Sequence, residues 1–155
     1  VLSALREIIP GTEGWPDFVA NRSGQFEARL SLVRVSQSAS LFFDGMAGSM
    51  LPVATAHGEG RASFSNQVVP QTTIALQYVD ASGCTTTVYP YNPNGSPEGI
   101  TGLCNTDGRV TIMMPHPERV FLPWQAHYLP EDMKNLAVSP WLRMFQNAYD
   151  WCMKN

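Results

Sequence analysis

Apolar and polar positions alternate most clearly in residues 26–35. Phe26, Ala28, Leu30, Leu32, Val33 and Val35 mark a strand there. Short apolar runs rich in β-branched residues at 51–56, 74–79, 85–89 and 110–114 predict four more strands. Turn-forming residues bound them: a Gly-rich stretch at 44–49, and Asp107-Gly108 as a hairpin signal before the last run. Residues 40–43 fit a short strand or a turn, and residues 15–21 fit neither period. Helical spacing occurs only near the two ends. Residues 2–9 read as a helix stopped by Pro10-Gly11. Ser139-Pro140 opens another, with Ser as cap and Pro in the first turn. In that helix Leu142, Phe145, Tyr149 and Cys152 share one face, which is predicted to pack on the core. No repeat or low-complexity segment interrupts the pattern.

Composition narrows the class. A chain of 155 residues with 44% hydrophobic content is enough for one domain with a sizeable core. The net charge of −3 offers no basic face for nucleic acid. Charged residues reach only 15%, against about a quarter in an ordinary globular protein. A sparsely charged surface fits a domain packed against neighbours. Three cysteines without paired or CxxC spacing give no disulfide framework and no thiolate metal site. Nothing resembles a signal peptide, and no apolar run is long enough to span a membrane. The expectation is a cytoplasmic globular domain with neither nucleic acid nor membrane as partner.

The strongest candidate chemistry lies in GRVTIMMPHPERVF, residues 108–121. Pro115 and Pro117 push the residues before them into extended backbone. In extended chain, residues two apart project to one side, so the His116 and Glu118 side chains can meet. A carboxylate that accepts from imidazole Nδ1–H fixes the tautomer and leaves Nε2 free to take a proton. The pair therefore suits the base and orienter of a nucleophilic triad. It is expected at the C-terminal end of a central strand.

The segment PHPERVF resembles the His-x-Glu segment of class I glutamine amidotransferases. The resemblance is closest to the glutaminase domain of phosphoribosylformylglycinamidine synthase (FGAM synthetase) of the large single-chain bacterial type. Further segments resemble the same family in order: LREIIPGTEGWPDFVANRSGQFEARL at 5–30, AHGEGR at 56–61, YPYNPNGSPEGITGL at 89–103 and SPWLRMFQNA at 139–148. The resemblance implies an α/β, flavodoxin-like class I glutamine amidotransferase fold. Residues 1–155 would be the C-terminal portion of one such domain. It implies catalytic roles for His116 and Glu118. Glutamine would be held by the loops containing His57, Gly58 and Glu59, and Asn94, Gly95 and Ser96. It also implies a larger synthetase that uses ATP and magnesium in de novo purine synthesis, with no cofactor in this part. The family's nucleophilic Cys sits in a strand–elbow–helix ahead of a segment like VLSALREIIPG, and that elbow is expected to be missing here.

None of the chain's own cysteines fits the nucleophile's setting. Cys84 lies in a turn, Cys104 leads into a hairpin and Cys152 lies near the end of the last helix, so none follows a strand and opens a helix. Each reads as a small apolar residue. The fragment alone is therefore expected to be inactive. Two His-x-Glu units, at 57–59 and 116–118, leave open a zinc hydrolase. A non-catalytic interaction fragment is the other alternative. Trp124, Tyr128 and Trp141 are expected to pack between the His-Glu segment and the last helix, and the role of the loop at 124–132, with His127, stays open.

Overall fold

A computed structural model describes residues 2–65, 71–126 and 131–154. Its centre is a five-stranded sheet in the order β3-β2-β5-β6-β7. The strands are β2 (Glu27–Val35), β3 (Met50–His57), β5 (Ile74–Tyr78), β6 (Ile100–Cys104) and β7 (Thr111–Met113). Every pairing in it is antiparallel. A separate ribbon pairs β1 (Asp17–Val19) with β4 (Arg61–Ser63), also antiparallel. Among the described residues there is one α-helix, α1 (Leu142–Lys154), which packs on the 3-10 turn Leu41–Phe43 and reaches the larger core through Met144. The mixed α and β content agrees with the expected class.

The sheet curls on itself. After β7 the chain leaves β6 with the bond Met114 N–H to Thr101 O (3.1 Å) and crosses to β3. There His116 N–H donates to Ala54 O at 2.8 Å and forms an isolated antiparallel bridge. The two edges of the five-strand order are thus joined at the position of His116.

Strand alternation sorts the residues. On β3, Leu51, Val53, Thr55 and His57 are buried. On β2, Val33 and Val35 point the same way, since directly opposed residues share a face. This face builds the larger core with Phe43, Met46, Leu76, Tyr78, Val120, Trp141 and Met144. A second cluster, Trp15, Ile74, Ile100, Leu103 and Ile112, fills the other side.

Several sequence expectations are corrected. The helix expected at residues 2–9 is a 3-10 turn, Leu2–Leu5, followed by further turns. The strand expected at 85–89 is absent. Only Thr85 bridges, to Val79, and beyond the buried Thr86 the chain runs exposed into turns. Strand β6 was not foreseen, nor was β4. In α1 the expected core stripe is turned outward: Tyr149 is 64% exposed, and Phe145 and Cys152 are exposed as well. The buried face carries Met144 and Asn147, continuing from Trp141 just before the helix. Asn147 is buried because its Nδ2 donates to Phe42 O (2.9 Å) and Asp44 O (2.8 Å), which gives the amide its partners inside. Trp141 packs as expected, but Trp124 does not: it is 77% exposed. His127 and Tyr128 lie outside the described residues.

Candidate functional site

The sheet closure fixes where His116 sits. Its backbone is held by Ala54 of β3, and Pro115 and Pro117 on either side are buried. Pro117 opens a 3-10 turn, Pro117–Arg119, with Arg119 N–H bonded to His116 O at 3.1 Å. A proline at this first position needs no N–H partner and arrives with its φ preset. The turn swings Glu118 back over the ring. His116 Nδ1 and Glu118 Oε1 are 2.7 Å apart, and the Arg119 guanidinium stands 3.8 Å from the same oxygen. The carboxylate therefore accepts a hydrogen bond from Nδ1–H, and Nε2 is the nitrogen left to exchange a proton. Both side chains are partly exposed. The geometry joins the two residues as anticipated but differs in setting. They follow an edge strand that closes the sheet, not a central strand.

The loop after β3 is built differently. His57 is buried, 6% exposed, while Gly58 is half-buried and Glu59 is exposed. A Cβ at Gly60 would fall 2.2 Å from the His57 ring, so only glycine lets the imidazole fold over this turn. The second predicted loop docks directly on it. Asn94 Nδ2 donates to Gly60 O (2.7 Å), and Asn94 Oδ1 accepts from Ser96 N–H (3.0 Å). Ser96 Oγ accepts from Ala62 N–H at 2.9 Å. Asn94 and Ser96 are fully buried and their side chains join the two loops. Gly95 takes a φ of 78° with the Arg22 side chain against it. Only Glu59 of the six predicted binding residues presents an exposed side chain.

Beside this loop the curled sheet has a polar interior that sequence reading missed. Glu27 pairs across from His57, and Arg29 from Thr55. The buried Glu27 carboxylate makes an ion pair with Arg29, whose guanidinium also donates to Tyr89 Oη (2.7 Å) and lies 4.9 Å from the Tyr89 ring centre. Ser31 Oγ and Thr55 Oγ1 are 3.0 Å apart. The Tyr78 hydroxyl faces Thr55 and Thr101, and burial pushes its pKa up. Strand alternation was the available signal: polar residues at 27, 29 and 31 share a face with Val33 and Val35.

Burial holds the His57 imidazole below its ordinary 6.5, with the nearby His116 acting in the same direction and Glu27 opposing. The unfolded chain therefore binds the proton before the folded one does. Between the ordinary value and the lower folded value, stability falls as pH falls. Denaturation midpoints at about pH 7.5 and about pH 5.5 should show this loss, and His57→Asn should flatten it. An equal acid sensitivity in the variant would mean that another group carries the effect.

Topology keeps the described thiols away from His116. Cys104 lies three residues along β6 from Thr101, the residue that bonds Met114, or about 10 Å at strand spacing. Burial also pushes its thiol pKa up. Cys84 adjoins the turn at Gly83, which packs on Met50 at the far end of β3. Cys152 lies in the last turns of α1. Among the described residues no group of three His, Cys, Asp or Glu could hold a metal ion, so the two His-x-Glu units do not assemble a zinc centre. Among those residues, too, no helix is long and apolar enough to cross a membrane.

The family model of the CobB/CobQ-like glutamine amidotransferase domain matches residues 1–152. The structure of PurLQS from Thermotoga maritima superposes with a TM-score of 0.62 at 26% sequence identity, covering 88% of this chain. The chain spans 53% of the length of that relative.

Proposed function

This chain belongs to the CobB/CobQ-like glutamine amidotransferase domain family, and we propose that it carries the base and orienter of a glutaminase within phosphoribosylformylglycinamidine synthase. The observation that carries this reading is the 2.7 Å contact between His116 Nδ1 and Glu118 Oε1, with Nε2 left for proton transfer. A cysteine thiolate from a part of the protein outside residues 1–155 attacks the side-chain amide carbon of glutamine. His116 Nε2 takes the thiol proton and returns it to the departing ammonia as the carbon–nitrogen bond breaks. Water then cleaves the thioester. His116 accepts a proton from that water and gives it to the leaving thiolate, and glutamate departs. Glu118 keeps the ring oriented and offsets the imidazolium charge without becoming protonated.

The freed ammonia serves a separate ATP-dependent site that converts formylglycinamide ribonucleotide to formylglycinamidine ribonucleotide. ATP and magnesium belong to that site, in the rest of the synthetase. The loops at His57–Gly58–Glu59 and Asn94–Gly95–Ser96 form the glutamine side of the pocket, largely through backbone.

The thiol is the point to test. An electrophilic glutamine analogue added to the intact protein should label one cysteine outside residues 1–155. This chain by itself should release no glutamate, because an imidazole without a nucleophile and oxyanion donors forgoes about 3–4 kcal/mol or more of transition-state stabilisation. Glutamate release by the isolated chain, with stoichiometric labelling of Cys84, Cys104 or Cys152, would place the nucleophile within it and overturn this reading.

A further inference from the structure

Asn21 follows β1 in a loop that has no obvious chemistry, yet it is only 4% exposed and every polar atom it carries is engaged. Its backbone N–H donates to Gly58 O at 2.8 Å. Its Nδ2 donates to His57 O (2.7 Å) and to Gln25 O (3.0 Å). Its Oδ1 accepts from Gly60 N–H (3.0 Å) and lies 3.2 Å from His57 Nδ1. One residue thus bonds to His57, Gly58 and Gly60, and Asn94 holds the Gly60 carbonyl from the other side. Arg22 N–H, the next along, donates to Asn94 O at 3.0 Å, so both loops hang on this turn.

We propose that Asn21 is a positioning residue for glutamine: it clamps the 57–60 loop in its binding conformation and fixes the ring tautomer of His57. The amide orientation follows from its partners. Two carbonyl oxygens surround Nδ2, and a peptide N–H points at Oδ1, so Oδ1 is the acceptor end. His57 Nδ1 must then carry the proton and donate to it, which leaves Nε2 as a bare acceptor. That nitrogen is buried and without a hydrogen-bond partner, and the ring lies within electrostatic reach of His116 and Glu27. A buried acceptor left without a partner suits a ligand that brings N–H donors, as an amino acid does. Without the Asn21 side chain, three hydrogen bonds to the loop are lost together, two at His57 and one at Gly60, while the backbone bond to Gly58 O stays. The loop must then be ordered by the ligand, and that cost appears as weaker binding rather than slower chemistry.

This inference rests on the glutaminase reading, and two measurements on the intact protein separate them. Asn21→Ala should raise the glutamine KM about tenfold, with kcat reduced by less than about threefold and ammonia-driven turnover unchanged. Asn21→Asp sets a buried carboxylate oxygen against the His57 and Gln25 carbonyls, and should raise the glutamine KM at least as far as Asn21→Ala. Hydrogen exchange in the peptide covering residues 57–62 should quicken in Asn21→Ala while residues 100–104 keep their protection. Unchanged exchange at 57–62 overturns the clamp whatever the activity shows. An unchanged KM with faster exchange overturns the link to glutamine, and a parallel loss of both the glutamine and the ammonia reactions makes Asn21 a general folding residue. A wild-type protein that never uses glutamine would sink the glutaminase reading instead, and the exchange result would still decide the clamp.

Discussion

His116→Ala is expected to lower glutamine-driven turnover of the intact protein about a thousandfold, while turnover driven by added ammonia stays within about twofold of wild type. The size follows from the role. A cysteine thiol near neutral pH is mostly protonated, and the departing nitrogen needs a proton that water delivers poorly, so one imidazole serves both transfers. The split follows from the proposed separation of the two sites: in that reading the ATP-dependent step takes place elsewhere and receives ammonia from solution when the glutaminase is silent. Glu118→Ala should cost less, about a hundredfold, because the bases that move protons remain and only ring orientation is loosened. The His116 backbone would still be held by Ala54 O, and that bond limits the structural damage in either variant. Steady-state rates with glutamine and with an ammonium salt, measured side by side, settle the matter. If both routes drop equally in His116→Ala, the residue is a structural post and the base lies elsewhere.

Trp141→Ala should destabilise the fold by about 3–5 kcal/mol, the range for deleting a large buried aromatic. The indole is fully buried in the larger core, and its Nε1–H donates to Pro52 O at 2.7 Å. Pro52 lies two residues before Ala54 on β3, so this bond seats the start of α1 next to the bridge that holds His116. Ser139 N–H, bonded to Phe121 O at 2.9 Å, ties the same junction from the other side. Trp141→Phe keeps most of the packing but leaves the Pro52 carbonyl without its donor, and should cost about 1–3 kcal/mol. Denaturant midpoints of the two variants separate packing from hydrogen bonding. A loss below about 1 kcal/mol in Trp141→Ala would show that the core closes over the gap, contrary to its packing here.

The features legible in the sequence were those in which one residue pattern decided the outcome. Alternation revealed β2, and β-branched runs revealed β3, β5 and β7. The pairing of His116 with Glu118 was legible, but the extended chain expected from the prolines was not what produces it: Pro117 opens a 3-10 turn that brings Glu118 back to the ring. Strand β6 stayed hidden because it is buried on both faces, so it does not alternate, and Gly102 interrupts its apolar run. The run at 85–89 had strand composition without a neighbour to pair with beyond one bridge at Thr85, and propensity alone does not make a strand. The face of α1 was misread because a polar residue, Asn147, occupies the buried side, where two carbonyl oxygens at Phe42 and Asp44 receive its amide. Asn21 was out of reach for a related reason. Its partners are set by folding, and the His57 ring it holds lies 36 residues away along the chain.

The backbone hydrogen bond by which His116 joins the two edges of the sheet also bears on how such a site can change its chemistry. His116 N–H and Ala54 O are main-chain atoms, so the address of the His116 side chain is written in the backbone and not in neighbouring side chains. Any residue except proline could occupy position 116 and keep that address. Drift at position 54 is similarly tolerated, since a carbonyl is common to all amino acids. The scaffold thus separates the question of where a reactive group stands from the question of what it is. A descendant or a designer could alter the second by one substitution, His116→Cys for instance, without having to solve the first again.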